Sequence, residues 1–258
     1  MRTITLLLPL LLVWTTASAQ SLTQTFEPGE DTTDWGNAGF SSPLTSPTFL
    51  DEPISSPFGG TTAGGGETIP QNYTRQFRNN TVGLDVEDDA YTIALYVQLD
   101  LFSGDGSSAQ FQIFDGSFGN NNTANIRIEQ AASTFQWQAR NASNVWQDVG
   151  ITMEFGEAYY VQMFIDPVGL TYDVLIANVN PNGSVVSSAS LNDLTISGQV
   201  ITNDANGTLS FFNFASGTDN VGTRVDNITI VQGVIPEPAT GSLLLLTGLG
   251  LLRRRRRP

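Results

Sequence analysis

Along residues 90–101, AYTIALYVQLDL, apolar and polar side chains alternate. Tyr91, Ile93, Leu95, Val97, Leu99 and Leu101 share one face, and Thr92, Tyr96, Gln98 and Asp100 share the other. Successive side chains of a strand point to opposite sides, so this spacing predicts a half-buried strand. The same period recurs in 109–114 (Phe111 and Ile113 inward), 134–140 (Phe135 and Trp137 inward, Gln136, Gln138 and Arg140 outward) and 159–165 (Val161, Met163 and Ile165 on one face). Further strands are predicted at 171–179, 184–190, 208–214 and 224–232. Turn-forming residues separate them: Ser103-Gly104-Asp105-Gly106, Asp115-Gly116, Asn180-Pro181-Asn182-Gly183 and Asn206-Gly207. No helical period stands out before the last 25 residues. Many short strands at this spacing predict an all-β chain, an antiparallel sandwich.

Residues 41–71 break the alternation with repeated Pro and Gly. They predict a long loop over one sheet, with a short edge strand near 48–50.

The two ends are apolar. At the start, Arg2, the run Ile4–Val13 and the small residues Ala17 and Ala19 have the layout of a secretory signal peptide, 1–19, cut by signal peptidase after Ala19. At the end, Ala239–Leu252 is uncharged and precedes Arg253, Arg254, Arg255, Arg256 and Arg257. As a helix these residues reach roughly 21 Å at about 1.5 Å per residue. The hydrocarbon core is about 30 Å thick. The segment is a short transmembrane helix, extended by arginines whose heads reach the headgroup layer. Those arginines stay on the cytoplasmic side and leave the preceding residues outside. The predicted organisation is a signal peptide (1–19), a sandwich (20–233) and a tail (234–258).

Pro236-Glu237-Pro238, a Gly/Leu-rich run and a terminal arginine cluster together resemble the PEP-CTERM sorting signal. The resemblance covers about the last 25 residues. It implies export by a Gram-negative cell that makes exopolysaccharide, and processing by an exosortase near Pro236, Glu237 and Pro238. A simple tail anchor is the alternative reading.

Composition narrows the chemistry. The chain has no Cys and no His, and all 11 of its basic residues are Arg. Residues 20–235 hold five of those arginines against 24 acidic residues, a net charge of −19. Such a domain has no cationic surface for nucleic acid. It has no disulfide, no Ser-His-Asp triad, no Cys nucleophile, no Schiff-base Lys and no typical zinc site. Carboxylate chemistry survives, either glycoside cleavage or calcium binding.

TFEPGEDTTDW (25–35), the pairing of AYYVQMFID with LTYDVLIAN, and the closing VDNITI resemble the concanavalin A-like lectin/glucanase jelly roll across residues 22–232. A galactose-binding-like sandwich opens and closes similarly, and both readings stand. In a jelly roll the first and last strands are neighbours, which would bring Glu27 near Asp226 as a candidate structural calcium site. Asp226 shares parity with Ile228 and Ile230, so it is expected toward the packed face or its rim. The alternative is an Asp226 bonded to turn N–H groups.

Tyr96, Tyr160 and Phe164 fall on the polar parity of their strands, interleaved with Gln98, Gln136, Gln138 and Gln162, while Trp146 lies in a predicted turn. Flat rings and amides suit sugar faces and hydroxyls. Tyr96, Trp146, Tyr160, Gln162 and Phe164 are therefore candidate carbohydrate contacts; packing beneath 41–71 is the competing reading. The acidic cluster Asp85, Glu87, Asp88, Asp89 lacks the alternating carboxylates of glucanases and reads as a solvated turn. No catalytic residue is assigned. Asn-x-Ser/Thr sequons at Asn72, Asn79, Asn121, Asn141, Asn182, Asn206 and Asn227 match the Asn- and Thr-rich composition as well as a glycosylated surface. The sequence thus predicts an exported, non-catalytic surface or matrix protein that binds exopolysaccharide, against two rivals: a glycan-active hydrolase or lyase, and a purely structural or adhesive protein.

Overall fold

A computed structural model describes residues 21–25, 27–30, 35–36, 50–51, 63–66, 73–78, 89–102, 108–115, 122–131, 134–143, 145–196, 208–216 and 221–233. The predicted signal peptide with Ala17 and Ala19, the predicted sorting tail with Pro236, Glu237, Pro238 and Arg253–Arg257, and most of 41–71 lie outside them. So do Asp85, Glu87 and Asp88.

The described residues form strands and turns, with every pairing antiparallel. Sheet A has eight strands: β1 (Ser21–Gln24), β3 (Leu50–Asp51), β4 (Ala63–Gly66), β6 (Tyr91–Phe102), β11 (Ala158–Asp166), β12 (Thr171–Val179), β13 (Val185–Thr195) and β15 (Val221–Gln232). Sheet B has seven: β2 (Trp35–Gly36), β5 (Tyr73–Arg78), β7 (Ser108–Asp115), β8 (Asn122–Ala131), β9 (Thr134–Arg140), β10 (Trp146–Met153) and β14 (Thr208–Ser216). Sheet A runs β13-β12-β11-β6-β15-β4-β3, with β1 also on β15; sheet B runs β10-β9-β8-β7-β14-β5-β2. No described helix is long and apolar enough to cross a membrane.

The sheets face each other across one core. Sheet A supplies Ile93, Leu95, Val97 and Leu99 from β6, Val161, Met163 and Ile165 from β11, and Val174 and Ile176 from β12. Sheet B supplies Ala124, Ile126 and Ile128 from β8, Trp137 and Ala139 from β9, and Val149, Ile151 and Met153 from β10. Each fully buried Ile or Leu contributes roughly 1.5–3 kcal/mol relative to exposure. With no cysteine in the chain, burial of this kind carries the stability.

Tyr172 ties the sheets together. Its ring is buried in the core from β12, and its hydroxyl reaches the β8–β9 seam of the opposite sheet. There it accepts from Arg140 N (3.1 Å) and shares its proton between Arg140 O and Asn125 O, the latter at 3.2 Å. Burial pushes its pKa well up, so the phenol keeps the proton it donates.

The segment predicted as a loop over 41–71 contributes two short strands, β3 and β4, paired at the edge of sheet A. Gly64, Gly65 and Gly66 lie opposite Val225, Arg224 and Thr223. Strands β5, β8 and β10 are additions to the predicted set. The turn expected at 180–183 forms, with Gly183 at φ 83° and Asn180 N bonded to Ser184 O at 2.9 Å. Asn182 and Asn141 each accept from backbone N–H groups two residues on, which gives these sequon asparagines a local structural role.

Candidate functional site

The register places four of the five candidate sugar contacts on the outer face of sheet A. Tyr160 lies opposite Tyr96, Gln162 opposite Ala94 and Phe164 opposite Thr92. Tyr96 and Tyr160 have ring centroids 5.3 Å apart at 53°, and Tyr160 OH donates to Gln162 Oε1 at 2.9 Å. Tyr96, Tyr160 and Gln162 are nonetheless 6–7% exposed, and the two tyrosines form a second buried cluster with Ala94, Ala158, Ala177 and Val179. Phe164 is half-buried. Burial pushes the Tyr96 hydroxyl up to about 12 and Tyr160 higher still. Rings enclosed in this way offer a sugar no open platform.

Asp226 joins the same face. The expected parity with Ile228 and Ile230 fails because a bulge interrupts β15: Asp226 pairs with Tyr96, but the next paired residue is Thr229, opposite Ala94. Asn227, at φ 50°, absorbs the offset. Val225 on one side of the bulge and Ile228 on the other both reach the core, while Asp226 turns to the opposite face. The bulge also lies where the neighbour of β15 changes. β4 covers Thr223–Val225 and β1 covers Ile228–Val231, so the turn after β1 brings Glu27 and Glu30 alongside.

Asp226 is 1% exposed. Its Oδ1 accepts from Asn227 N at 2.7 Å, and its Oδ2 has no hydrogen-bond partner. Desolvation raises its pKa to about 7, opposed by the Asn227 N–H and reinforced by the negative charges of Glu27 and Glu30. Glu30 is held by Thr25 N at 3.0 Å and by the Thr25 and Gln24 side chains. A calcium ion at Glu27 and Asp226 fits one feature of this arrangement, the unpartnered buried oxygen. Among the described residues, no group of three or more acidic side chains is placed to hold a metal ion.

Trp146, the fifth candidate, is the first residue of β10 rather than a turn residue, and it belongs to sheet B. The structure therefore separates it from Tyr96, Tyr160, Gln162 and Phe164. It lies opposite Arg140, and the Arg127 guanidinium sits 4.1 Å from its ring centroid, with that of Arg140 at 5.9 Å. Arg127 Nε donates to Gln138 Oε1 at 2.8 Å, and its Nη2 pairs with Glu129. Arg127 lies opposite Gln110 and Gln138, Glu129 opposite Gln136, and Gln138 opposite Asp148. The result is a strip of amides, guanidiniums and an indole along the face of sheet B turned away from the core. Burial lowers the Arg127 pKa, opposed by Glu129 and helped by the like charge of Arg140.

Arg127, Glu129 and Asn125 are absent from the sequence-predicted site because β8 was not among the predicted strands. The signal is present in NIRIE (125–129), where Ile126 and Ile128 alternate with these three residues. Asn125 is 1% exposed, and neither end of its amide has a hydrogen-bond partner.

No family model matches the chain, and neither does any curated protein. Solved structures with some likeness include Trypanosoma rangeli sialidase (11% identity, 71% of this chain and 26% of that one, TM-score 0.43). Another is the CBM2 module of the evolved Dit of Lactobacillus casei BL23 phage J-1 (9%, 85% and 99%, 0.45). A third is peanut lectin (9%, 84% and 100%, 0.44). The chain spans about a quarter of the sialidase. Likeness this faint carries no argument about activity, and the functional reading rests on the residues.

Proposed function

We propose that the chain is an exported, non-catalytic protein of the cell surface or extracellular matrix that binds extracellular polysaccharide. Its body is a jelly-roll sandwich of the concanavalin A-like kind, delivered by the signal peptide and the PEP-CTERM tail. The observation that carries the reading is the arrangement of the ends around an acidic body. Two uncharged terminal segments, one closed by five arginines, flank a domain of −19. Ser21 lies opposite Val231, so the segments before β1 and after β15 leave the sandwich at the same end of sheet A. A domain with adjacent ends can fold outside the bilayer while both termini remain near it.

Mass spectrometry of the protein recovered from a Gram-negative host tests the sorting. The expected mature chain starts at Gln20 and ends near Pro236; a chain found in the cytosol with both termini intact refutes it. A glycan array tests the binding. The hydrolase alternative draws on one observation, a buried carboxylate raised to about 7 beside Glu27. Release of reducing ends from a polysaccharide, lost in Asp226→Asn, would replace the non-catalytic reading.

A further inference from the structure

From the outer face of sheet B we infer a binding site for carboxylate-bearing polysaccharide, a chain of uronic acid residues, built on Arg127, Arg140, Trp146 and Gln138. This rests on the polysaccharide-binding reading above and moves its site away from the buried tyrosines of sheet A.

Charge placement is the first argument. Residues 20–235 contain five arginines. Two of them converge on one indole, close enough for each to feel the other's charge. Glu129 and Asp148 make the strip formally neutral, within a domain of −19. Screening over about 8 Å at physiological salt hides the more distant carboxylates, so a bound anion feels chiefly this strip.

Donor geometry is the second. Arg127 engages the protein through Nε and Nη2, and its Nη1 has no partner among the described residues. A guanidinium fork matches a planar carboxylate. Its side chain is 16% exposed, fixed by Gln138, Glu129 and the Trp146 ring, so little entropy is lost when it binds.

The third is a fixed backbone beneath the site. Asn125 shares the alternating face of β8 with Arg127 and Glu129, but at 1% exposure it is too enclosed to touch a sugar. Tyr172 holds the backbone of Asn125 and Arg140 from the core side, which keeps the two positions in fixed relation.

The test is titration calorimetry of the purified full chain with oligogalacturonate, with the same oligomer after carboxyl reduction, and with a neutral glucan oligomer. The expected result is binding of the oligogalacturonate about tenfold or more tighter than its reduced form. Arg127→Gln and Arg140→Gln should each erase that preference, and Trp146→Ala should weaken both forms. Glu129→Gln, which removes a competing carboxylate, should tighten the acidic oligomer severalfold; it reports on the site even if an arginine variant melts early. Equal affinity for the acidic and reduced oligomers, or acidic binding unchanged in both arginine variants, overturns the inference while the polysaccharide-binding reading stands. Absence of binding to every oligomer, and to a glycan array, overturns both.

Discussion

Replacing Tyr172 by Phe removes one oxygen from the centre of the sandwich and leaves the ring in place. The hydroxyl has a single proton to share between Arg140 O and Asn125 O, and it accepts one N–H, from Arg140. The substitution therefore abandons one part-buried donor and one acceptor where the described β8–β9 pairing, which begins at Ile126 opposite Ala139, has stopped. A phenylalanine ring fills the same core volume, so the cavity cost is small. An orphaned buried polar group costs about 1–3 kcal/mol. The expected loss is about 2 kcal/mol, out of roughly 5–15 kcal/mol for a typical domain. For a domain of this size that lowers Tm by roughly 4–8 °C. Urea unfolding followed by tryptophan fluorescence gives the free energy, and hydrogen exchange at the Arg140 amide gives the local effect. An unfolding free energy within about 0.3 kcal/mol of the parent's, together with unchanged Arg140 exchange, would refute the bracing role.

Two further tests concern backbone and charge. Asp226 has a pKa of about 7 in the folded state, above its ordinary 3.8. The folded state thus binds the proton more tightly than the unfolded chain. Its destabilising contribution is absent below the unfolded value and grows as pH rises from about 4 through 7. Three units correspond to at most about 4 kcal/mol. In a chelator-containing buffer, Asp226→Asn should match the parent near pH 4 and be more stable near pH 8, read by urea midpoints; a variant less stable at pH 8 contradicts the desolvation argument. Gly150 sits at φ 91° beside the irregular β9–β10 register, with Ala189 Cβ 3.9 Å from where a Cβ would stand. Space is adequate and backbone conformation is not, so Gly150→Ala should cost about 1 kcal/mol in thermal or urea unfolding. A neutral outcome would mean that the left-handed geometry is dispensable.

Period-two alternation identified the strands with long apolar faces, and those faces pack as read: Ile93, Leu95, Val97 and Leu99 on β6, Trp137 on β9, Val161, Met163 and Ile165 on β11. Composition alone removed thiol, imidazole and amine chemistry. Both follow from local rules, because side-chain direction and functional groups are properties of each residue and its neighbours in the chain. Three matters depended on residues far apart in sequence. Alternation cannot reveal which strands lie side by side, so Trp146 joined Arg127 and Arg140 on one sheet while Tyr96 and Tyr160 were enclosed on the other. Parity cannot anticipate a bulge, and the offset at Asn227 sent Asp226 to the face opposite the one its spacing indicated. The hydroxyl of Tyr172 found its partners 32 and 47 residues away, in the other sheet. Packing of two sheets, a condition on the whole chain, settles such contacts.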